Sequence, residues 1–234
     1  MIANRTFILV HDIFQEFSKN IDRVLTLSNM KNFDILRHNV VIGQGLSLNQ
    51  IIKLIDGGVT IVNSEFIFSI ERKEYVHKKS KSNVIITIPK KKSCREFENF
   101  ILLSHDSGIL DHVTGIHIPA IALLEAARQS MLSIIERFFL PQNIAKIRFS
   151  ILSSEAKFFS FVFPTQIKII SRLLDPCFKG KSINGFLESN IWQQDCLCAT
   201  IVIEFSCRDE ERVLNHEIFT FNQRFYRNDQ LHQI

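Results

Sequence analysis

The groups capable of chemistry gather between Leu110 and Gln129, in the order Asp111, His112, His117, Glu125, Arg128 and Gln129, with His105 and Asp106 just before them. Pro119 opens a run read as one long helix from about 119 to 139, in a position where its missing N–H costs nothing. His117 therefore falls at the helix N-terminus. There the unpaired N–H groups and the dipole stabilise negative charge and offer donors to a carbonyl oxygen on which charge develops. Glu125 follows about two turns along, on a helix whose other faces are apolar, so burial is expected to raise its pKa toward the range useful to a general acid or base. Arg128 at i+3 favours the carboxylate and holds it in place, and Gln129 at i+4 shares that face. The same residues also read as a structural ion pair with an amide beside it on a core helix. His105, His112 and His117, with Asp106 and Asp111, have the residue types of a metal site; histidines near a helix start more often serve hydrogen bonding, and no metal is expected.

These residues need a scaffold, and the flanking pattern describes one. The helix is apolar nearly all round, from Ile118 and Ile121 to Ile135 and Phe138, so it needs cover on most sides. A strand is expected before it at 83–89, and further strands after it at about 147–152, 158–163, 166–174, 182–189 and 197–207. That is the order of an α+β hotdog fold, an antiparallel sheet curled around one long central helix. The first 70 residues have a different texture. Residues 7–10, 24–27, 40–42 and 59–62 read as buried strands, and 12–19 and 47–55 as helices, with Ser47 as N-cap and Gly57-Gly58 as stop. Continuous apolar strands alternating with helices suggest a small parallel α/β unit over 1–70, ahead of a hotdog domain over 71–234. In Gly43-Gln44-Gly45, Leu48 stands where a dinucleotide loop would have its third glycine, so the segment reads as a tight turn.

Composition narrows the function classes. With 46% hydrophobic and 22% charged residues in 234, and only 8 Gly and 5 Pro, the chain is neither a disordered tail nor a fibrous repeat. The longest apolar stretch, 116–124, is interrupted by His117 and Pro119 and falls short of the roughly 18 residues of a spanning helix. The run at 7–10 is too brief for a signal-peptide core, so a cytoplasmic location is expected, without membrane partners. The 5 Cys are an odd number and are expected to be reduced. Cys196 and Cys198 lack a second pair at zinc spacing and read as two small buried strand residues. The net charge of +4 is uneven: between Glu71 and Arg95 nine bases face two acids, a local +7. Such a segment attracts an anionic partner or, as the plainer reading, protects a sheet edge with lysines. It lacks interleaved aromatics, and no nucleic-acid partner is expected.

The run Asp111-His112-Val113-Thr114-Gly115-Ile116-His117-Ile118, followed by the helix Pro119 to Gln129 with its Glu125-Ala126-Ala127-Arg128-Gln129, resembles the A-factor biosynthesis (AfsA-type) hotdog proteins over about 74–227. Glu74-Tyr75-Val76-His77-Lys78 is similar to the start of that domain. More distantly, the helix is similar to that of 3-hydroxyacyl-carrier-protein dehydratases. The resemblance implies transfer of a β-ketoacyl group from acyl carrier protein, or an acyl-CoA thioester, to a small hydroxylated acceptor. In the family that acceptor is dihydroxyacetone phosphate, on the way to a γ-butyrolactone signal. It casts Glu125 as general base, Arg128 as its electrostatic partner or phosphate ligand, and His117 with the helix N-terminus as oxyanion site. Gln129, His112 and Ala120 are then placed at the substrate, and no cofactor is implied. Ala120 stands where the family has glycine, and its Cβ lies beside the N–H a carbonyl would approach. A dehydratase, a thioesterase and a non-catalytic acyl-binding module are the alternatives. Relatives carry two repeats and this chain one such helix, so a homodimer is expected, its site shared because the Glu125 face would lack a partner within the chain.

Overall fold

The structure is a computed structural model describing residues 5–31, 35–112, 116–140, 147–180 and 182–225, with the side chains of Asp111, His112 and Asp209 outside the description. Short apolar runs and local helix signals build the first unit: β1 (Thr6–Val10), α1 (Gln15–Lys19), β2 (Val24–Thr26), α2 (Leu27–Met30), β3 (Asn39–Ile42), α3 (Leu48–Asp56), β4 (Thr60–Ile61) and α4 (Ser64–Ile67). Its strands are parallel, in the order β2-β1-β3-β4. α3 begins where the sequence placed it. The Gln50 N–H donates to the Ser47 hydroxyl while the Ser47 N–H donates to the Gln50 side chain, a reciprocal cap, and Gly57 ends the helix.

The turn after β3 joins this unit to the next. A Cβ at Gly43 would lie 2.4 Å from the Pro164 carbonyl oxygen, and Gly45 has φ +91°, so both positions demand glycine. Between them the buried Gln44 donates from Nε2 to the carbonyls of Ile101 and Thr165, and its Oε1 accepts from the Leu103 N–H. Losing that amide would remove three hydrogen bonds between the turn and the second unit, and any buried backbone group left unpaired by it costs about 1–3 kcal/mol. The glycines thus serve contact between units.

The second unit contains β5 (Lys90–Lys91), β6 (Glu96–Ile101), α5 (Ala120–Phe138), β7 (Ile147–Phe158), β8 (Ile167–Lys179), β9 (Ser182–Gln193), β10 (Cys196–Asp209) and α6 (Glu210–Phe225). The strands form an antiparallel sheet in the order β5-β6-β8-β9-β10-β7, with α5 packed across it: the α+β hotdog arrangement. Alternation along β8 and β9 turns Ile169, Leu173, Leu187 and Ile191 inward against Ala122, Ala126 and Met131 of α5. This core also takes in Val10, Phe14, Phe17 and Val24 of the first unit, while Leu9, Val40, Ile42, Ile51 and Leu54 form a smaller core between the parallel sheet and its helices.

Several elements differ from the expectation. Residues 83–89 make only isolated bridges, Ile86 to Ile101 and Ile70 to Thr87, because the Ile85 N–H is taken by a helix side chain, Gln129. The strand beside them is β6, whose alternation of Glu96, Glu98 and Phe97, Asn99 obscured it in sequence. β7 continues unbroken to Phe158 and residues 159–163 form a loop, not a second strand. α6 was not anticipated; it buries none of its described side chains. Lys90 and Lys91 do occupy a sheet edge, as the plainer reading of the basic segment held. Among the described residues, no helix is long and apolar enough to cross a membrane.

Candidate functional site

Polar residues of α5 are met by the segment that precedes β5: Glu125 by Lys78, Gln129 by Asn83 and Ile85, and Ser133 and Arg137 by Glu71. Glu125 lies five residues after Ala120, about 7.5 Å along the axis. Its Oε2 accepts from Arg128 Nε at 2.7 Å, and its Oε1 accepts from Arg128 Nη2, Gln129 Nε2 and Lys78 Nζ, each at 2.8 Å. Only 15% of the Glu125 side chain is exposed, against 23% for Lys78 and 28% for Arg128, so the anion is inside and both cations reach solvent. Burial pushes this carboxyl up, but the hydrogen bonds from Arg128, Lys78 and Gln129, with the Arg128 charge, outweigh it and hold the group down at about 2. The expected upward shift is thus reversed, because two cations attend the carboxylate and only Arg128 is near it in sequence.

Gln129 is fully buried and its amide is fully engaged: Nε2 donates to the Asn83 carbonyl and Glu125, and Oε1 accepts from the Ile85 N–H. It orients the carboxylate and ties residues 83–85 to the helix. The expectation that this face of α5 lacks a partner within the chain is therefore not met; the partner is the segment carrying Lys78, Asn83 and Ile85. Lys78 closes the motif Val76-His77-Lys78, and no local spacing ties it to Glu125. It is brought there by the turn at His77, which has φ 54° and binds Glu136 through its ring.

A second carboxylate went unread. Glu71, with 0% of its side chain exposed, accepts from the Arg137 guanidinium, the Ser133 hydroxyl and the Arg72 N–H. Arg137 also lies 4.0 Å from the centroid of the Tyr75 ring. The Glu71 carboxylate raises the pKa of Arg137. Nothing in the local spacing of Glu71 signals this, since its partners are 62 and 66 residues away.

The remaining candidates sit toward the start of α5. His117 precedes the helix, its ring 4.9 Å from that of Phe161, and the next residue, Ile118, donates to the Val162 carbonyl. Pro119 occupies the N-cap and supplies no side-chain cap, and Ala120 is exposed. The backbone of His112 ends a short 3-10 turn, but its side chain and residues 113–115 lie outside the described residues. His105 is drawn to the first unit: it stacks on His11 at 4.1 Å, with Nδ1 on the Gly45 carbonyl and Nε2 on Asp106. Cys198 is buried, whereas Cys196 is exposed, so the C-x-C pair is not uniformly interior.

Fold and cluster together define a hotdog-domain protein with a carboxylate clamped by two cations on its central helix. Residues 62–158 match the A-factor biosynthesis hotdog domain, which covers Glu71, Lys78, Glu125, Arg128, Gln129 and Arg137 and ends within β7, short of the 227 read from sequence. Among solved structures, a thioesterase from Haemophilus influenzae is 13% identical with a TM-score of 0.40, covering 70% of this chain and 92% of that one. A conserved protein from Pseudomonas aeruginosa is 15% identical with a TM-score of 0.41, covering 59% and 100%. No curated protein sequence matches significantly.

The clamp makes stability pH-dependent. Because the folded pKa of Glu125, about 2, lies below the ordinary 4.5, its contribution is present above about pH 4.5 and is lost as pH falls through about 2. The shift corresponds to on the order of 3 kcal/mol. Urea denaturation at descending pH should show Glu125→Gln losing about 3 kcal/mol less than the parent across that window; superimposable pH profiles would contradict the clamp.

Proposed function

We propose that this protein handles acyl thioesters, passing a β-ketoacyl group from an acyl carrier protein, or from acyl-CoA, to a small hydroxylated acceptor that bears a phosphate. The product would be a γ-butyrolactone-like signal or a related secondary metabolite. The clamp on Glu125 carries this reading. A carboxyl held near 2 is too weak a base to take a hydroxyl proton at neutral pH. Yet Lys78 and Arg128 are the residue types that bind phosphate, and both reach solvent. A phosphate that draws them off leaves the carboxylate in its interior position without its cations, and burial then raises its basicity. The acceptor thereby activates the base that deprotonates it.

In the transfer step the acceptor hydroxyl gives its proton to Glu125 and its oxygen attacks the thioester carbonyl. The C–S bond then breaks, and the leaving thiolate takes up the proton. His117 and the uncapped start of α5, with Ala120, are the oxyanion side of this scheme, and His112 belongs with them as a substrate contact. Gln129 acts as a positioning residue. The lysines of β5 and its neighbour Lys92 are proposed to steer an acidic carrier.

With a β-ketoacyl-carrier thioester, mass spectrometry should show thioester loss that depends on dihydroxyacetone phosphate. Glu125→Gln should fold and lower turnover about 100-fold or more. Replacing Lys90, Lys91 and Lys92 with Glu should raise the KM for the carrier, an effect that fades with salt. Release of free acid without acceptor would instead make this a thioesterase.

Residues 1–70 and 71–234 are proposed as separate domains, the second working as a homodimer. The supporting observations are two uncovered surfaces. Among the described residues β7 pairs on one side only and exposes Ile151 and Leu152, and α6 exposes Leu214, Ile218 and Phe225 at helical spacing. Since the clamp is complete within one chain, each subunit would hold its own. Sedimentation at micromolar concentration should give about twice the 27.1 kDa of one chain; a stable active monomer would overturn this.

A further inference from the structure

The face of the sheet turned away from α5 meets the first unit across an unfilled gap. Its volume is about 620 Å³, within the range of small-molecule sites, and it lies where such sites are common, between two packed units. Its floor is apolar: Ile8 and Val41 from the parallel sheet, Phe100 and Trp192 from the antiparallel one. Strand register sets Phe100 opposite Lys168 and Lys168 opposite Trp192, so the lysine stands in one cross-strand row between two aromatic rings. From the other wall comes Arg23, whose backbone carbonyl accepts from the Ile8 N–H and so fixes its place at the start of β2.

The charges lining this gap are unbalanced. Its one carboxylate, Glu98, is engaged by Lys92 at 3.5 Å, whereas Arg23 and Lys168 have no ion-pair partner among the described residues. A joint serving packing alone would close around its apolar floor, since protein interiors leave few voids larger than a water molecule. Here aromatic and aliphatic surface is left open, with one cation from each unit beside it.

We propose that this cleft binds a small planar aromatic molecule carrying a carboxylate or a phosphate, the ring lying over Trp192 and Phe100 and the anionic group between Arg23 and Lys168. Aromatic surfaces stack on one another, and a guanidinium and an ammonium together hold an anion in a partly desolvated cleft. Such a ligand spans both units and gives residues 1–70 a role, that of closing a site on the outer face of the sheet. The site is separate from the Glu125 clamp, which lies on the helix side, and does not depend on the thioester reading.

Trp192 is the only tryptophan of the chain, so tryptophan emission, excited where tyrosine does not absorb, reports on this cleft. The full-length protein is titrated with 2-naphthoate and, in a second arm, with adenosine monophosphate, and each titration is repeated with the neutral analogues 2-naphthamide and adenosine. The expected result is a saturable change in Trp192 emission with at least one anion, with a Kd of about 1 mM or tighter. Affinity should fall about tenfold in Arg23→Gln and in Lys168→Gln, and about as much for the neutral analogue. A response to the nucleotide alone assigns the phosphate form of the ligand, and a response to naphthoate alone the carboxylate form. Because both variants change surface cations, thermal melts of the unliganded proteins should coincide with the parent. No response from either anion, or equal affinity in parent and both variants, would overturn the proposal.

Discussion

The amide of Gln129 is the joint on which the site depends. A buried polar side chain must satisfy all its hydrogen-bonding groups within the protein, and Gln129 does so only if residues 83–85 run alongside α5 and Glu125 points back toward them. That one requirement sets the position of the strand-like segment before β5 and diverts its Ile85 N–H from a sheet ladder. It also delivers the chain carrying Lys78 to the carboxylate. The Glu71, Arg137 and Ser133 cluster repeats the arrangement further along the helix, so the same preceding segment is pinned to α5 at two levels.

From this joint follows the electrostatic character of the site. A carboxylate in an apolar interior would be a ready base at neutral pH, but this one shares its interior position with two cations and an amide donor, and its charge is held. The proposed role of Glu125 as a base therefore requires its cations to move. Partial exposure of Lys78 and Arg128 makes such exchange feasible without unfolding the helix, whereas the Glu71 and Arg137 pair, with its carboxylate fully interior, is suited to holding structure.

Local signals carried much of this fold. The Ser47 and Gln50 cap, the stop at Gly57, the apolar run of α5 and the alternation of β8, β9 and β10 all depend on neighbours within a few residues, and each was legible. β6 was hidden because its polar positions bear glutamates, and α6 went unread although Leu214, Ile218 and Phe225 stand at helical spacing. Glu125, Arg128 and Gln129 could be read as one cluster because a helix brings i, i+3 and i+4 together. Lys78 and Glu71 could not be read into it, since only the path of the chain across α5 places them there. The same distance effect reversed the expected pKa of Glu125: the second cation lies 47 residues away in sequence.

We propose that Glu125 is an ion-paired carboxylate at rest and becomes a base when an anionic acceptor takes its cations. Carbon-13 NMR of labelled side-chain carboxyls, with Glu125 assigned by comparison with Glu125→Gln, tests it directly. Between about pH 3 and pH 7 the Glu125 signal of the free protein should stay at its ionised position, and with saturating dihydroxyacetone phosphate it should titrate within that window. A signal that stays ionised throughout in the presence of the phosphate, or one that already titrates in its absence, would contradict the account.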